Sequence, residues 1–134
     1  MLLETKSFDE VLQRFRSLQF DETFDIVVAI ANGGIIPAAI VNQQLQLPLH
    51  LLEISLRDSK HKPIYQSPIL KYPINFDFRN KKVLLVEDRV KSGKTIKFAL
   101  KLLEGSKLIR TLAINGEADY SLYNEDCFKF PWIM

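Results

Sequence analysis

Hydrophobic residues along this chain follow two rhythms. Ile26–Ile30, Leu49–Ile54, Val83–Val86 and Leu108–Ile114 are short, mostly apolar runs rich in branched side chains. Runs of this length read as strands, and continuous ones as strands buried on both faces of a sheet. Between them the spacing becomes helical. Phe8, Val11, Leu12, Phe15 and Leu18 predict an amphipathic helix from Ser7 to about Gln19, with Ser7 as its cap and Glu10 three residues on, as a capping box requires. A second helix is expected from Pro37 to Gln44 or Leu45, Pro37 lying in the first turn where its missing donor costs nothing. A third runs from Ile96 to Leu103, with Gly105 placed to end it. Strands alternating with helices predict an α/β fold with an open, mostly parallel sheet flanked by helices.

Two segments fit this scheme less simply. Ile74, Phe76 and Phe78 alternate with Asn75 and Asp77, predicting a short edge segment within Tyr72–Phe78. Phe128, Phe130 and Trp132 alternate near the other end, predicting a last edge strand whose aromatics close the core. Residues 57–67 are polar, basic and proline-bearing, and read as a long loop.

At 134 residues the chain suits one domain spanning 1–134. A net charge of +2 makes the whole molecule a poor candidate for binding nucleic-acid polymers. The charge is uneven, however: Ser55 to Lys97 holds eleven Lys or Arg against four Asp or Glu, a composition that attracts a polyanionic small molecule. Cys127 is the single cysteine, which excludes an internal disulfide and fits a reducing compartment. With no signal-like segment and no apolar run of membrane-spanning length, a soluble cytoplasmic protein is expected. His50 and His61, the two histidines, are too few and too separated to argue for zinc.

The candidate chemistry lies where strands end. The run Val83–Val86 leads directly into Glu87 and Asp88, then into a polar turn, Lys91-Ser92-Gly93-Lys94-Thr95, that opens the third helix. Two carboxylates there can accept hydrogen bonds from sugar hydroxyls or hold a metal complex. The amides of Lys91 to Thr95, with the Ser92 and Thr95 hydroxyls, can wrap a phosphate. An acidic half beside an anion-binding half suits a phosphorylated sugar. The first strand ends in a comparable way, at Asn32-Gly33-Gly34, where adjacent glycines permit close approach of backbone N–H groups to an anion.

Val83 to Thr95 resembles the phosphoribosyl pyrophosphate motif of the type I phosphoribosyltransferases: an apolar strand, two acidic residues, two mostly apolar positions, and a Thr/Ser-Gly-x-Thr turn. Arg89 occupies one of the positions that is usually apolar. Gly33, Gly34, Pro37 and Ala38 are similar to that family's pyrophosphate loop, with Asn32 where Arg or Lys is usual. The ending Phe130-Pro131-Trp132 resembles the short purine (xanthine- or guanine-like) members, which often carry an acidic residue where Ile133 stands. The resemblance implies a type I phosphoribosyltransferase-like domain with a small hood built from terminal segments. It further implies transfer of a 5-phosphoribosyl group from phosphoribosyl pyrophosphate to a purine-like base, with Mg²⁺ as cofactor. A small open-sheet domain is also expected to self-associate as a homo-oligomer, a dimer being the first expectation.

On this resemblance Glu87 and Asp88 hold ribose hydroxyls or the metal and its water, and Lys91 to Thr95 hold the 5′-phosphate. Asn32, Gly33 and Gly34 meet pyrophosphate. Trp132 stacks on the base with Phe130 or Tyr120 as neighbours, and Arg57, Lys60, His61 and Lys62 lie on a loop that closes over the site. Lys91 stands where purine-specific relatives usually carry an aspartate. A lysine there is a poor general base at neutral pH. Together with Asn32 it implies an alternative, a catalytically weak or inactive regulatory protein that binds a phosphoribosyl ligand or nucleotide. Other phosphate-site readings fail on spacing. A Walker motif needs glycine where Asp88 stands, no Gly-x-Gly-x-x-Gly follows a strand, and a receiver domain would need its acidic pair near the start of the chain.

Overall fold

The computed structural model describes residues 3–55 and 68–134. The loop expected at 57–67, with Arg57, Lys60, His61 and Lys62, lies outside the described residues. In chain order the elements are α1 (Phe8–Arg16), β1 (Ile26–Ala31), α2 (Ile35–Leu45), β2 (Leu49–Ser55), β3 (Ile69–Leu70), β4 (Lys82–Arg89), α3 (Lys94–Leu102), β5 (Leu108–Asn115) and β6 (Tyr120–Tyr123). The strands form one sheet in the order β3-β2-β1-β4-β5-β6. Every pairing is parallel except that of β3 with β2.

The alternation of side chains along each strand sorts the core into two layers. Val27 and Ala29 of β1, Leu84 and Val86 of β4, and Leu112 and Ile114 of β5 pack with Val11 and Phe15 of α1 and with Ala38 and Val41 of α2. Ile26, Val28 and Ile30, with Val83 and Leu85, pack on the opposite face against Ala99 and Leu103 at α3. Burial on both faces explains why β1 and β4 are continuous apolar runs rather than alternating ones. Helices therefore cover both sides of an open sheet. The chain leaves β1 toward β2 on one side and returns to β4 on the other, so its direction of winding reverses between β1 and β4. In open α/β sheets the crevice at that reversal, beyond the carboxyl ends of the strands, is where ligands bind.

The capping box of α1 forms as the sequence predicts, the Ser7 hydroxyl accepting from the Glu10 N–H at 3.1 Å. Arg14 fastens this helix to the far edge of the sheet, donating to the Leu122 carbonyl at 3.1 Å while lying over the Tyr123 ring. The Tyr123 hydroxyl donates to the Glu10 carboxylate. Burial, followed by that bond and the Glu10 charge, pushes the Tyr123 phenol up to about 12. The terminal segments meet beside these contacts: Lys129 N–H donates to the Glu4 carbonyl at 2.7 Å and Lys6 N–H to the Lys129 carbonyl at 3.2 Å. They make the small hood.

The sequence expectation misplaced both edges of the sheet. No strand forms within Tyr72–Phe78; the edge strand is Ile69–Leu70, antiparallel to β2. Pro73 has no N–H to give a ladder, and Ile74, Phe76 and Phe78 instead turn onto the α3-side core, where Phe76 stacks on His50 at 4.5 Å. At the other edge β6 is Tyr120–Tyr123. Phe128 and Phe130 are buried in the core, and only a single bridge, Thr5 to Lys129, marks their segment.

Four residues, 116–119, connect the parallel strands β5 and β6, far fewer than such a crossover ordinarily needs. Gly116, at φ 131°, makes the reversal possible, and the Asp119 carboxylate accepts from the Thr111 N–H at 2.8 Å and from its hydroxyl at 3.1 Å.

Because Leu85 is fully buried in the central strand, Leu85→Ala is expected to cost about 2–5 kcal/mol through lost contacts and the cavity left behind. Urea unfolding checks this. The midpoint should fall at unchanged slope, and a midpoint within error of the parent would show that β4 is not the centre of the core.

Candidate active site

The carboxyl ends of β1 and β4 lie side by side, and each delivers one half of the site. From β1 the chain passes through Asn32, Gly33 and Gly34 into α2, the Ala31–Asn32 peptide bond being cis. From β4 it passes through Glu87, Asp88 and Arg89 into the turn that opens α3. The two halves press together so closely that side chains are excluded. A Cβ on Gly33 would lie 2.5 Å from an Asp88 carboxylate oxygen, and one on Gly34 would lie 2.4 Å from the Val86 carbonyl oxygen. Gly33 faces a side chain that can move. Gly34 faces backbone in the middle of the sheet, so glycine there is required by packing.

The acidic pair is asymmetric. Glu87 is only 8% exposed, whereas Asp88 is half-buried and opens toward the Gly33 loop. Burial, then the charge of Asp88 and the hydrogen bond between the two side chains, pushes the Glu87 carboxyl up to about 9. It is neutral near pH 7. Asp88 also folds back on its own strand end, accepting from the Arg89 N–H at 2.6 Å, while the Asp88 N–H donates to Glu87 at 3.2 Å. Among the described residues no group of three or more His, Cys, Asp or Glu side chains converges as a metal cage. The arrangement suits a cation carried in by a phosphorylated ligand and touched by one or two carboxylates, the usual mode for Mg²⁺.

The turn of Lys91 to Thr95 projects past the sheet, with Lys91, Ser92 and Lys94 exposed. Gly93, at φ 80°, is the residue from which α3 starts, and no side chain caps the helix there. Only a long contact from Lys94 N–H to the Ser92 hydroxyl, 3.4 Å, engages the opening amides. Among the described residues no side chain caps these helix-start amides, and they lie beside Ser and Thr hydroxyls and two lysines, an arrangement suited to an anion.

Trp132 is linked to the end of β4 through a stack. Its ring lies on Phe130 at 5.2 Å and 15°, Phe130 lies under the Arg89 guanidinium at 4.6 Å, and Arg89 follows Asp88 in β4. Tyr120 is not part of this group. Its ring packs on Phe20 at 4.8 Å and its hydroxyl donates to Asp21.

The sequence reading passed over Arg89 except as a departure from an apolar position, and it missed Asn115 altogether. Asn115 is buried beside Arg89 in the β4–β5 register and pins the following loop, accepting from the Glu125 N–H at 3.0 Å. A cation directly following two carboxylates, where the resembled motif is usually apolar, was the available signal for Arg89. Asn115 had none, because its partners are backbone groups ten residues away.

An open α/β sheet with an acidic strand end, a glycine loop and an anion-binding helix start at its switch point defines a class of phosphate-ligand proteins. Residues 8–115 match the family model described as the phosphoribosyl transferase domain, and the chain belongs to that family. Its fold is similar to that of a purine phosphoribosyltransferase from Pyrococcus horikoshii Ot3, with 23% identity over 98% of this chain and 94% of that one at a TM-score of 0.82. A hypothetical protein from Neisseria gonorrhoeae with bound ppGpp is 21% identical over 98% and 90%, with a TM-score of 0.77. A Helicobacter pylori xanthine-guanine-hypoxanthine phosphoribosyltransferase is 16% identical over 96% and 92%, with a TM-score of 0.76. No curated protein matches in sequence. No helix among the described residues is long and apolar enough to cross a membrane.

The raised Glu87 carboxyl makes stability depend on pH. Folding keeps it protonated, so its contribution is complete below the ordinary carboxylate range near 4.5 and is lost as pH rises toward about 9. The loss is on the order of 1.4 kcal/mol per pH unit at most. Neutral, isosteric Glu87→Gln should therefore unfold at a higher temperature than the parent at pH 8, with the gap closing by pH 5. Equal melting temperatures at both values would contradict a buried neutral carboxyl.

Proposed function

We propose that this protein transfers the 5-phosphoribosyl group of phosphoribosyl pyrophosphate to a ring nitrogen of a purine-like base, releasing pyrophosphate. The observation that carries this reading is the meeting of the Gly33-Gly34 loop with Asp88, which sets backbone amides for an anion against a carboxylate for a sugar. Membership of the phosphoribosyl transferase domain family and the likeness to purine-converting proteins support it.

In the proposed reaction the bond from ribose C1 to the pyrophosphate oxygen breaks, a C1–N bond forms, and the proton of the base nitrogen passes to solvent water as pyrophosphate is released. Asn32 and Gly33 donate to the departing pyrophosphate, whose charge grows as the bond lengthens; the Gly34 N–H is already given to the Ile30 carbonyl at 2.8 Å, so Gly34 shapes the loop rather than donating. Asp88 and Glu87 orient the ribose hydroxyls. With its carboxyl neutral, Glu87 can donate as well as accept. Ser92, Gly93, Lys94 and Thr95 hold the 5′-phosphate, Lys91 adds positive charge at the rim, and Trp132 gives the base a stacking surface. Asp88, with Glu87 beside it, would hold Mg²⁺, and the ion would supply charge neutralisation for the leaving group. Fixing both reactants in line supplies the remainder by removing translational and rotational freedom before the bond changes.

A second reading is favoured by two residues and one neighbour. Asn32 lacks the charge of a basic residue at pyrophosphate, and Lys91 replaces a carboxylate able to accept the base proton. The Neisseria gonorrhoeae protein of the same fold carries ppGpp. On this reading the site binds a phosphoribosyl ligand or nucleotide as a signal and turns it over weakly or not at all.

The proposal includes a homodimer. From Ala31 to Ser55 only Glu53 is charged, and Ile36, Leu49 and Leu51 are exposed on α2 and β2. An uncharged surface bearing exposed branched aliphatics is suited to a second copy of itself. Sedimentation should give twice the 15.5 kDa chain mass, and Leu51→Lys should return it toward the monomer. A monomeric parent at micromolar concentration would refute the assembly.

The activity test is base-dependent release of pyrophosphate from phosphoribosyl pyrophosphate with Mg²⁺ across a panel of purines and pyrimidines, with the nucleotide product identified by mass. A purine should give product, and Asp88→Asn should slow it by at least about 10²-fold. Binding of phosphoribosyl pyrophosphate or ppGpp without turnover of any base would select the second reading instead.

A further inference from the structure

Arg89 spans two parts of the molecule that the backbone keeps apart. It is the last residue of β4, next to Asp88, while its side chain ends on the terminal aromatic segment. One guanidinium nitrogen, Nη2, donates to the Phe128 carbonyl at 2.8 Å, and the guanidinium plane lies 4.6 Å over the Phe130 ring. Phe130 in turn stacks on Trp132, and Trp132 meets Phe8 of α1 edge-on at 6.3 Å. Arg89 Nε is fully buried and finds no hydrogen-bond partner. An unsatisfied buried donor is destabilising, so a planar cation is kept here at a cost that an apolar side chain would avoid. Apart from the hood contacts of Lys6 and Arg14 with Tyr123 and Phe128, this is the cation–aromatic stack that lies against the acidic pair.

We propose that Arg89 is a positioning residue that couples the Phe128–Trp132 segment to the sugar-binding end of β4 and so fixes the distance between the base-stacking surface and Asp88. This rests on the transferase or ligand-binding reading above. Arginine suits the role because it can stack and donate at once, with a rigid fork; lysine offers a point charge on a flexible stem and cannot reproduce the stack. The coupling acts on the base half of the ligand. Among the described residues no hydrogen bond or ring contact joins the turn at Lys91 to Thr95 or the Gly33-Gly34 loop to the aromatic segment, so affinity for the phosphoribosyl moiety is expected to be unaffected by the coupling.

Trp132 is the single tryptophan, and its emission reports the segment directly. The test compares the full chain with Arg89→Met and Arg89→Lys in three measurements: thermal unfolding, Trp132 emission without ligand, and steady-state constants for base and for phosphoribosyl pyrophosphate. Arg89→Met is expected to remain folded, to shift the unliganded Trp132 emission, and to raise KM for the base at least tenfold while KM for phosphoribosyl pyrophosphate stays within twofold. Arg89→Lys should fall with Arg89→Met rather than with the parent. Unchanged emission together with an unchanged base KM overturns the coupling, as does a parallel rise of both KM values, the mark of general loosening. If the parent converts no base, the transferase reading fails by itself. The coupling is then judged on emission alone: a shift in both variants supports it, and emission identical to the parent overturns it.

Discussion

The structure depends on the contact between two strand ends. Where β1 and β4 run parallel at the winding reversal, the loop after β1 lies so close to the Asp88 carboxylate and the Val86 carbonyl that no side chain fits at Gly34, and one at Gly33 would have to push the Asp88 side chain aside. That exclusion brings backbone N–H groups within reach of whatever Asp88 holds. It also ties the start of α2 to the centre of the sheet, so the loop is positioned by the fully buried residues of β1 and β4 rather than by contacts of its own. A ligand site on rigid elements needs little reorganisation when it binds.

The acidic pair shows how one fold gives adjacent carboxyls different duties. Glu87 lies inside the sheet edge, where burial raises its carboxyl, while Asp88 is half-buried and faces the Gly33 loop. The hood contributes from the opposite side. Its terminal segments meet at Thr5 and Lys129, its aromatics enter the α1-side core at Phe128 and Phe130, and Arg89 joins it to β4.

Much of this was legible in the sequence because it follows from local rules. β1, β2, β4 and β5 were readable as short branched runs, α1 from its capping box, and the site from carboxylates and glycines placed directly after apolar strands. What escaped depends on tertiary packing. Ile74, Phe76 and Phe78 alternate like a strand, yet Pro73 and the hydrophobic face near α3 turn them into an irregular covering segment. Phe128 and Phe130 alternate too, yet pack as core side chains. The strand β6 was hidden because its four-residue return rests on Gly116 and on the Asp119 to Thr111 hydrogen bonds, which no period reveals. The neutrality of Glu87 and the stack on Arg89 are likewise properties of surroundings, not of spacing.

The central claim is that the β1 and β4 strand ends form one phosphoribosyl site. Its most direct test is amide NMR of the chain titrated with phosphoribosyl pyrophosphate and Mg²⁺. The account predicts that the largest shifts fall together on Asn32 to Ile35 and on Glu87 to Thr95, saturating with a single affinity. Shifts centred elsewhere, or saturable binding that leaves both of these segments unmoved, would contradict it.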